Sequence, residues 1–284
     1  MTVTEQLVVR PISGALGAEI HGFSLADMDD AGFQQLRSVL REHLVVFLPD
    51  QHLDPEEHLA LGRRFGELER HPYARKLDDD HPEIVLLESE HGMIADVWHT
   101  DVTWNPAPPQ FSIINALQVP AVGGDTMWSN QHLVFESLSA PMQELLLGLT
   151  ALHTAAHLGQ PGQKTEQPVV RRHPETGRPS LFVNRMFTDR IVQLSAGESD
   201  ALLAYLYAFS EQPQFNCRYP WAGGTIGIWD NRATQHYVVH DFEARRVMTR
   251  VTILGDDPEP AGDSARWAAY APTRFSAAAA PYVL

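Results

Sequence analysis

Hydrophobic and polar positions alternate over short stretches along most of this chain, and helical spacing interrupts them only a few times. Leu7 to Ile12 and Ala18 to Ile20 read as short strands around a glycine-rich turn. Asp30 to Glu42 spaces Phe33, Leu36, Val39 and Leu40 as the covered face of a helix. It runs into Leu44-Val-Val-Phe-Leu48, an apolar run that suits a strand buried on both faces. Asp54-Pro55-Glu56-Glu57 is a helix start, with a capping carboxylate, a proline where no N–H is needed and a glutamate placed to close a capping box. That helix carries Leu59, Leu61 and Phe65 and ends near Gly66.

Residues 72–82 are polar and read as a loop, as does Ser89 to Ala95. Ile84 to Leu87, Phe111 to Val119 and Asp125 to Trp128 read as strands, the last entered through Gly123-Gly124. Ser139 caps a helix from about Pro141 to Leu149. Residues 155–167 hold glycine and proline without an apolar period and are expected to form a mobile loop. Val169 to Arg172 and Leu181 to Asn184 form a hairpin around His-Pro-Glu-Thr-Gly-Arg-Pro. Ser195-Ala-Gly-Glu198 opens a second capped helix carrying Leu202, Leu203, Leu206 and Phe209. Cys217 to Trp221, Thr225 to Trp229 and Arg245 to Leu254 complete the strands. The Pro-, Ala- and Asp-rich tail from about Asp256 is expected to be loosely ordered. Many short strands with few helices predict a mainly β fold with flanking helices: one domain over residues 1–284, built as a double-stranded β-helix (jelly roll).

The stretch that carries chemistry is Trp98-His99-Thr100-Asp101-Val102-Thr103-Trp104. Its alternation predicts a strand, and a strand puts His99 and Asp101 on one face. An imidazole beside a carboxylate is two-thirds of a 2-His-1-carboxylate metal site, which leaves positions of an octahedral ion open. His236 is the candidate third ligand. His81-Pro-Glu83 and His173-Pro-Glu175 have a related spacing, but the central proline makes them turns and poor ligand pairs.

The formal net charge of −15 argues against nucleic acid or an anionic membrane as a partner. The 21 basic residues are almost all arginine, which suits recognition of a small carboxylate or sulfonate through a planar fork. A single cysteine, Cys217, permits no intrachain disulfide. The N-terminal residues lack the pattern of a secretory leader, and no apolar run reaches the roughly 18 residues of a membrane span. A cytoplasmic homo-oligomer is therefore expected.

In Arg246-Val-Met-Thr-Arg250 the arginines sit four apart, hence on one face of a strand and roughly 13 Å from each other. They either form an exposed face paired with surface carboxylates or point inward. Two inward guanidinium groups would need two anionic ligands.

Taken together, Phe65-Gly-Glu-Leu68, Trp98-His-Thr-Asp-Val-Thr103, Gly123-Gly-Asp-Thr-Met-Trp128, Ile228-Trp-Asp-Asn-Arg-Ala-Thr-Gln-His236 and Arg245-Arg-Val-Met-Thr-Arg250 resemble the taurine dioxygenase family of Fe(II)/2-oxoglutarate-dependent oxygenases, from about Val9 to Pro258. The resemblance implies Fe(II) held by His99, Asp101 and His236. It implies 2-oxoglutarate as co-substrate, gripped by Arg246 and Thr126, and O2 as oxidant. The expected reaction is hydroxylation of an aliphatic C–H in a small anionic substrate, with release of succinate and carbon dioxide. Arg250 would anchor the substrate's anion, and His71, Tyr73, Ala95 and Phe187 match substrate-pocket positions. Ala95 stands where taurine dioxygenase has an asparagine, and the segment after His153 is shorter. A sulfonate, sulfate ester or carboxylate with a bulkier and less polar body than taurine is therefore expected. Desaturation, cyclisation or oxidative decarboxylation with the same cofactors, a non-catalytic anion-binding jelly roll, and a zinc hydrolase are the alternatives.

Overall fold

Which strands pair, and which side of each carries the apolar residues, decides where a site can form. The computed structural model describes residues 7–90, 95–264 and 266–272. The chain begins with β1 (Val8–Pro11), β2 (Ala18–His21), α1 (Asp30–His43), β3 (Val45–Leu48) and α2 (Pro55–Phe65). It continues through β4 (Val85–Glu88), β5 (Phe111–Gln118), β6 (Thr126–Asn130), α3 (Gln131–Glu136) and α4 (Ala140–Leu147). Then come β7 (Thr150–Ala155), β8 (Gln160–Pro168), β9 (Val170–Arg172), β10 (Pro179–Leu181), β11 (Thr188–Ile191) and α5 (Ala196–Ser210). The last strands are β12 (Asn216–Tyr219), β13 (Ile226–Asp230), β14 (Thr234–Val238) and β15 (Val247–Ile253).

Seven strands form the main sheet in the order β1-β2-β3-β13-β5-β15-β4, and β12-β6-β14 form a smaller one against it. Between them pack Val45 and Phe47 of β3, Ile114 and Ala116 of β5, Met248 of β15, Trp128 of β6, and Cys217 and Tyr219 of β12. Phe47 stacks on Tyr219 with ring centroids 3.7 Å apart. The other face of the main sheet presents Val46, Leu48, Ile113, Ile228 and Ile253 to Phe33, Leu36 and Leu40 of α1 and to Leu61 and Phe65 of α2. Strand β3 is thus covered on both sides, which is why its sequence does not alternate. The capping box at α2 forms as expected: the Glu57 amide donates to Asp54 Oδ1 and the Asp54 amide donates to Glu57 Oε2. Such a cap contributes about 1 kcal/mol. The result is the mainly β jelly roll with outer helices that the strand pattern predicts.

Two expectations fail. Trp98 to Trp104 is not a strand; His99 makes one isolated bridge and the chain then turns. Residues 155–167 are not a loop, because β8 pairs antiparallel with β7 and these two form a small sheet with β11. Its side chains are mostly exposed, so backbone hydrogen bonds hold it and no apolar period marks it. Of the tail from Asp256, the described residues make backbone hydrogen bonds with the small sheets and their flanks. The Arg172 amide donates to Glu259, Ala261 to Val170 and Tyr270 to Val192. Helix α3, β7, β11 and β14 were not expected, and residues 91–94 of the Ser89–Ala95 loop lie outside the described residues.

Burial holds the imidazoles of His58 and His132 down at about 4 and that of His153 at about 3. Their pKa values rise towards about 6.5 on unfolding, so below that pH the unfolded chain binds more protons. The stability they contribute is complete above about pH 6.5 and is lost as pH falls towards the folded values. The urea midpoint should therefore drop steadily from about pH 6.5 to about pH 4; a flat midpoint over that window contradicts three neutral buried imidazoles.

Candidate active site

His99 and His236 are brought together by backbone. The His99 amide donates to the His236 carbonyl at 3.1 Å and the His236 amide to the His99 carbonyl at 2.7 Å. Residues paired this way in an antiparallel ladder project to the same side, and the two rings lie 4.0 Å apart between centroids. Strand β14 positions His236 through its pairing with β6.

Asp101 reaches the same point by a turn. Val102 has φ of 52°, a left-handed conformation that a β-branched residue rarely adopts. Its buried packing with Trp104, Ala155 and Phe187 offsets the strain. The small sheet ties this turn down. Asn184 Nδ2 donates to Thr103 Oγ1 at 3.1 Å, His153 Nδ1 lies 2.9 Å from the same hydroxyl, and Gln167 Nε2 donates to the Asn105 carbonyl. Asp101 Oδ1 then stands 3.8 Å from His99 Nε2 and 3.9 Å from His236 Nε2. One ligand atom from each of the three residues fits within 4.8 Å, and all three residues are buried.

The protonation states follow from the partners. His99 Nδ1 sits 2.8 Å from the Val97 carbonyl; a carbonyl only accepts, so Nδ1 carries the hydrogen and Nε2 presents a lone pair. Burial holds both imidazoles below their ordinary pKa, with the neighbouring His99 adding to the effect at His236. Burial alone would raise the Asp101 carboxyl. Arg250, His236 and His99, with a hydrogen bond from Ser112, outweigh it and keep Asp101 well below the usual carboxylate range. A chain of donors fixes that carboxylate: Trp229 Nε1 to Asn231 Oδ1, Asn231 Nδ2 to Ser112 Oγ, and Ser112 Oγ to Asp101 Oδ2 at 2.8 Å. The sequence reading missed Ser112, Asn231 and Trp229. The available signal was Ser112 itself, a hydroxyl in the otherwise mostly apolar run of Phe111 to Ala116.

A cavity of about 460 Å³ opens beside these residues. His99, Asp101, Arg246, Arg250, His71, Tyr73, Ala95 and Phe187 all line it, together with Val85, Leu87, Trp104, Leu158, Met186, Val238 and Phe242. His236 and Thr126 each touch a lining residue, His236 beside the His99 ring and Thr126 accepting from Arg246. Both arginines point inward, as one of the two sequence alternatives holds. Arg246 Nε donates to the Gly124 carbonyl at 3.1 Å and its Nη2 to Thr126 Oγ1 at 3.3 Å. It is buried, and among the described residues it has no ion-pair partner. Burial lowers its pKa to about 10, so it stays charged at neutral pH. Arg250 is instead paired inside the protein, its Nη1 donating to Asp101 Oδ1 at 2.8 Å. His71 Nδ1 accepts from the amides of Tyr73 and Ala74, so Nε2 carries the hydrogen. Burial and the nearby Arg250 charge lower its pKa to about 4. Leu158, on the turn between β7 and β8, closes one side of the cavity.

The profile described as "Taurine catabolism dioxygenase TauD, TfdA family" matches residues 9–252. An alkylsulfatase of Acinetobacter baylyi is 35% identical over 276 residues, covering 89% of this chain and 86% of that protein. An alpha-ketoglutarate-dependent sulfate ester dioxygenase of Pseudomonas putida is 34% identical over 276 residues, covering 89% of this chain and 91% of that protein. The crystal structure of a taurine dioxygenase from Burkholderia xenovorans superposes with a TM-score of 0.83 at 36% identity, covering 93% of this chain and 96% of that one.

Proposed function

The chain belongs to the TauD, TfdA family of taurine catabolism dioxygenases, and from that premise we propose that it is an Fe(II)/2-oxoglutarate-dependent dioxygenase of a sulfate ester or sulfonate with an apolar body. The observation that carries this reading is the pair of inward guanidinium groups in one mostly apolar cavity beside a buried His-Asp-His set.

The residues fit the implied cofactors. Two neutral imidazole nitrogens and one carboxylate oxygen converge, a donor set suited to ferrous iron with open positions. His99, Asp101 and His236 would hold it. The buried Arg246 makes no direct ion pair among the described residues and would take the distal carboxylate of 2-oxoglutarate. Thr126 Oγ1 already accepts from Trp221 Nε1 and Arg246, which leaves its own hydrogen for that carboxylate. With dioxygen, these cofactors supply the oxidation of one aliphatic C–H while 2-oxoglutarate leaves as succinate and carbon dioxide. The protein's part is to place and shield. Arg250 and the His71 Nε2–H present donors to the substrate anion. Tyr73, Trp104, Leu158, Met186 and Phe187 hold the hydrocarbon body out of water. Hydroxylation at the carbon bearing a sulfate ester would then release sulfate and an aldehyde, which accords with the names of the two relatives.

Two results are expected. Hexyl sulfate carries roughly four more carbon groups than taurine, each worth about 0.8 kcal/mol when buried, so its kcat/KM should be higher by up to about two-hundredfold. Taurine as the better substrate would sink the apolar-body reading, and n-hexanol as the better one would sink the anion. Ser112→Ala removes the hydroxyl that orients Asp101, and ferrous iron affinity should fall by about tenfold or more; an unchanged metal titration removes Ser112 from that role.

A further inference from the structure

Glu69 lies next to this site and has no part in the roles given so far. The Glu69 amide donates to the Thr252 carbonyl and the Leu254 amide to Glu67, with Leu68 bridging Ile253. Residues 67–69 therefore run antiparallel to the end of β15. Leu68 and Ile253 face the outer core, so the next pair, Glu69 and Thr252, faces inward. Arg250 is two residues from Thr252 and shares its face. Three polar atoms in this patch, Glu69 Oε2, Thr252 Oγ1 and Arg250 Nε, are buried without a hydrogen-bond partner. Buried polar groups are rarely left unmatched, and here a carboxyl and a guanidinium nitrogen are unmatched on one face.

We propose that Glu69 is a positioning residue that sets how much of the Arg250 charge is available to an anionic substrate. With Glu69 neutral, Arg250 has one carboxylate neighbour, Asp101, whose charge the metal takes up, and the guanidinium is left to the substrate. With Glu69 ionised, Arg250 has a second, competing anion and the site repels a third. This rests on the reading of Arg250 as the substrate's anchor.

The groups facing Glu69 are Arg250 on β15, Asp101 on the turn after His99 and, two residues along its own segment, His71. Beyond Asp101 stand His99 and His236. Asp101 is ionised, and His71 at about 4 is neutral over the working range. Burial is the largest cause that raises the Glu69 carboxyl, to about 7 in the metal-free protein; Arg250 opposes it, and the part Asp101 adds falls away when a metal takes up that charge. Glu69 therefore changes state at a pH above the ordinary carboxylate range. Below that pH it is protonated and anion binding is favoured; above it, the proton must be taken up for the anion to bind.

The test uses the iron- and 2-oxoglutarate-loaded enzyme with hexyl sulfate. The dissociation constant is read by anaerobic calorimetry, and KM and kcat by turnover. Between about pH 6 and about pH 9 the dissociation constant and KM should rise about tenfold or more while kcat changes little. Glu69→Gln should hold both near their low-pH values across the range, and Glu69→Asp should restore the slope. A Glu69→Gln enzyme with the wild-type slope overturns the proposal, as does one whose constants shift equally at every pH, because that is a structural effect. Arg250→Gln separates the two readings. If it leaves hexyl sulfate binding unchanged, the anchor itself is wrong; if binding weakens while Glu69→Gln keeps the slope, only the role of Glu69 falls.

Discussion

Asp101→Ala should abolish turnover and weaken ferrous iron binding by roughly a thousandfold, while the chain still folds. The carboxylate is the only anion in the His99, Asp101 and His236 set, and losing a charged partner in a dry site costs about 2–5 kcal/mol or more. A second effect distinguishes this variant from either histidine variant. Asp101 also neutralises Arg250, whose side chain is 12% exposed, and removing one member of such a pair leaves the other charge nearly buried and uncompensated. In excess chelator, Asp101→Ala should therefore be less stable than His99→Ala by roughly 1–3 kcal/mol. Adding Arg250→Gln should recover part of that loss, and a urea double-mutant cycle in chelator measures how much. Wild-type succinate formation by Asp101→Ala would remove the residue from the triad. An additive cycle would mean that the 2.8 Å contact with Arg250 carries no net energy.

Arg246→Gln should raise the 2-oxoglutarate dissociation constant by about 2–5 kcal/mol, at least roughly thirtyfold, with metal affinity unchanged. Arg246 is buried, donates to Gly124 and Thr126, and among the described residues makes no direct ion pair, the Asp125 carboxylate acting on it only from a distance, so its guanidinium is left to a ligand anion. Thr126→Val should cost only about 1 kcal/mol, the net worth of one hydroxyl contact. The contrast carries the argument. In co-substrate-free protein, Arg246→Met should be neutral or stabilising, because it relieves a buried charge that Asp125 offsets only from a distance. Equal 2-oxoglutarate affinity in Arg246→Gln and wild type would move the cofactor grip to Arg250.

Side-chain periodicity revealed what side-chain burial dictates. Strand β3 and the caps of α2 and α5 were legible because each has a face turned to the core or a group waiting for a partner, whereas the spacing of Arg246 and Arg250 gave a shared face without saying which way it points. Strand β8 was not, since an exposed strand is held by main-chain bonds that leave no mark on side-chain type. Trp98 to Trp104 shows the reverse error. Its alternation imitates a strand, but Val102 takes a left-handed conformation and the chain turns. His99 and Asp101 still meet, through the fold of the turn and not through the pleat of a sheet. The Arg250–Asp101 pair was invisible because it joins residues far apart in the chain whose side chains share a space only once the sandwich closes. The proposed ligand roles themselves rest on the resemblance and on this geometry together.

The reciprocal backbone bridge between His99 and His236 would also make a metal held by the proposed ligand set a sensor of global folding. The unfolded chain has His99 and Asp101 close in sequence but holds His236 far away, so its affinity for a divalent ion is weak. Only the closed sandwich presents all three donors. Any ion bound by the native state alone then adds RT ln(1 + [M]/Kd) to stability, about 2.7 kcal/mol at a hundredfold excess over Kd. The melting temperature should rise with ferrous iron concentration and return on chelation, which makes thermal denaturation a readout of site occupancy that needs no knowledge of the substrate.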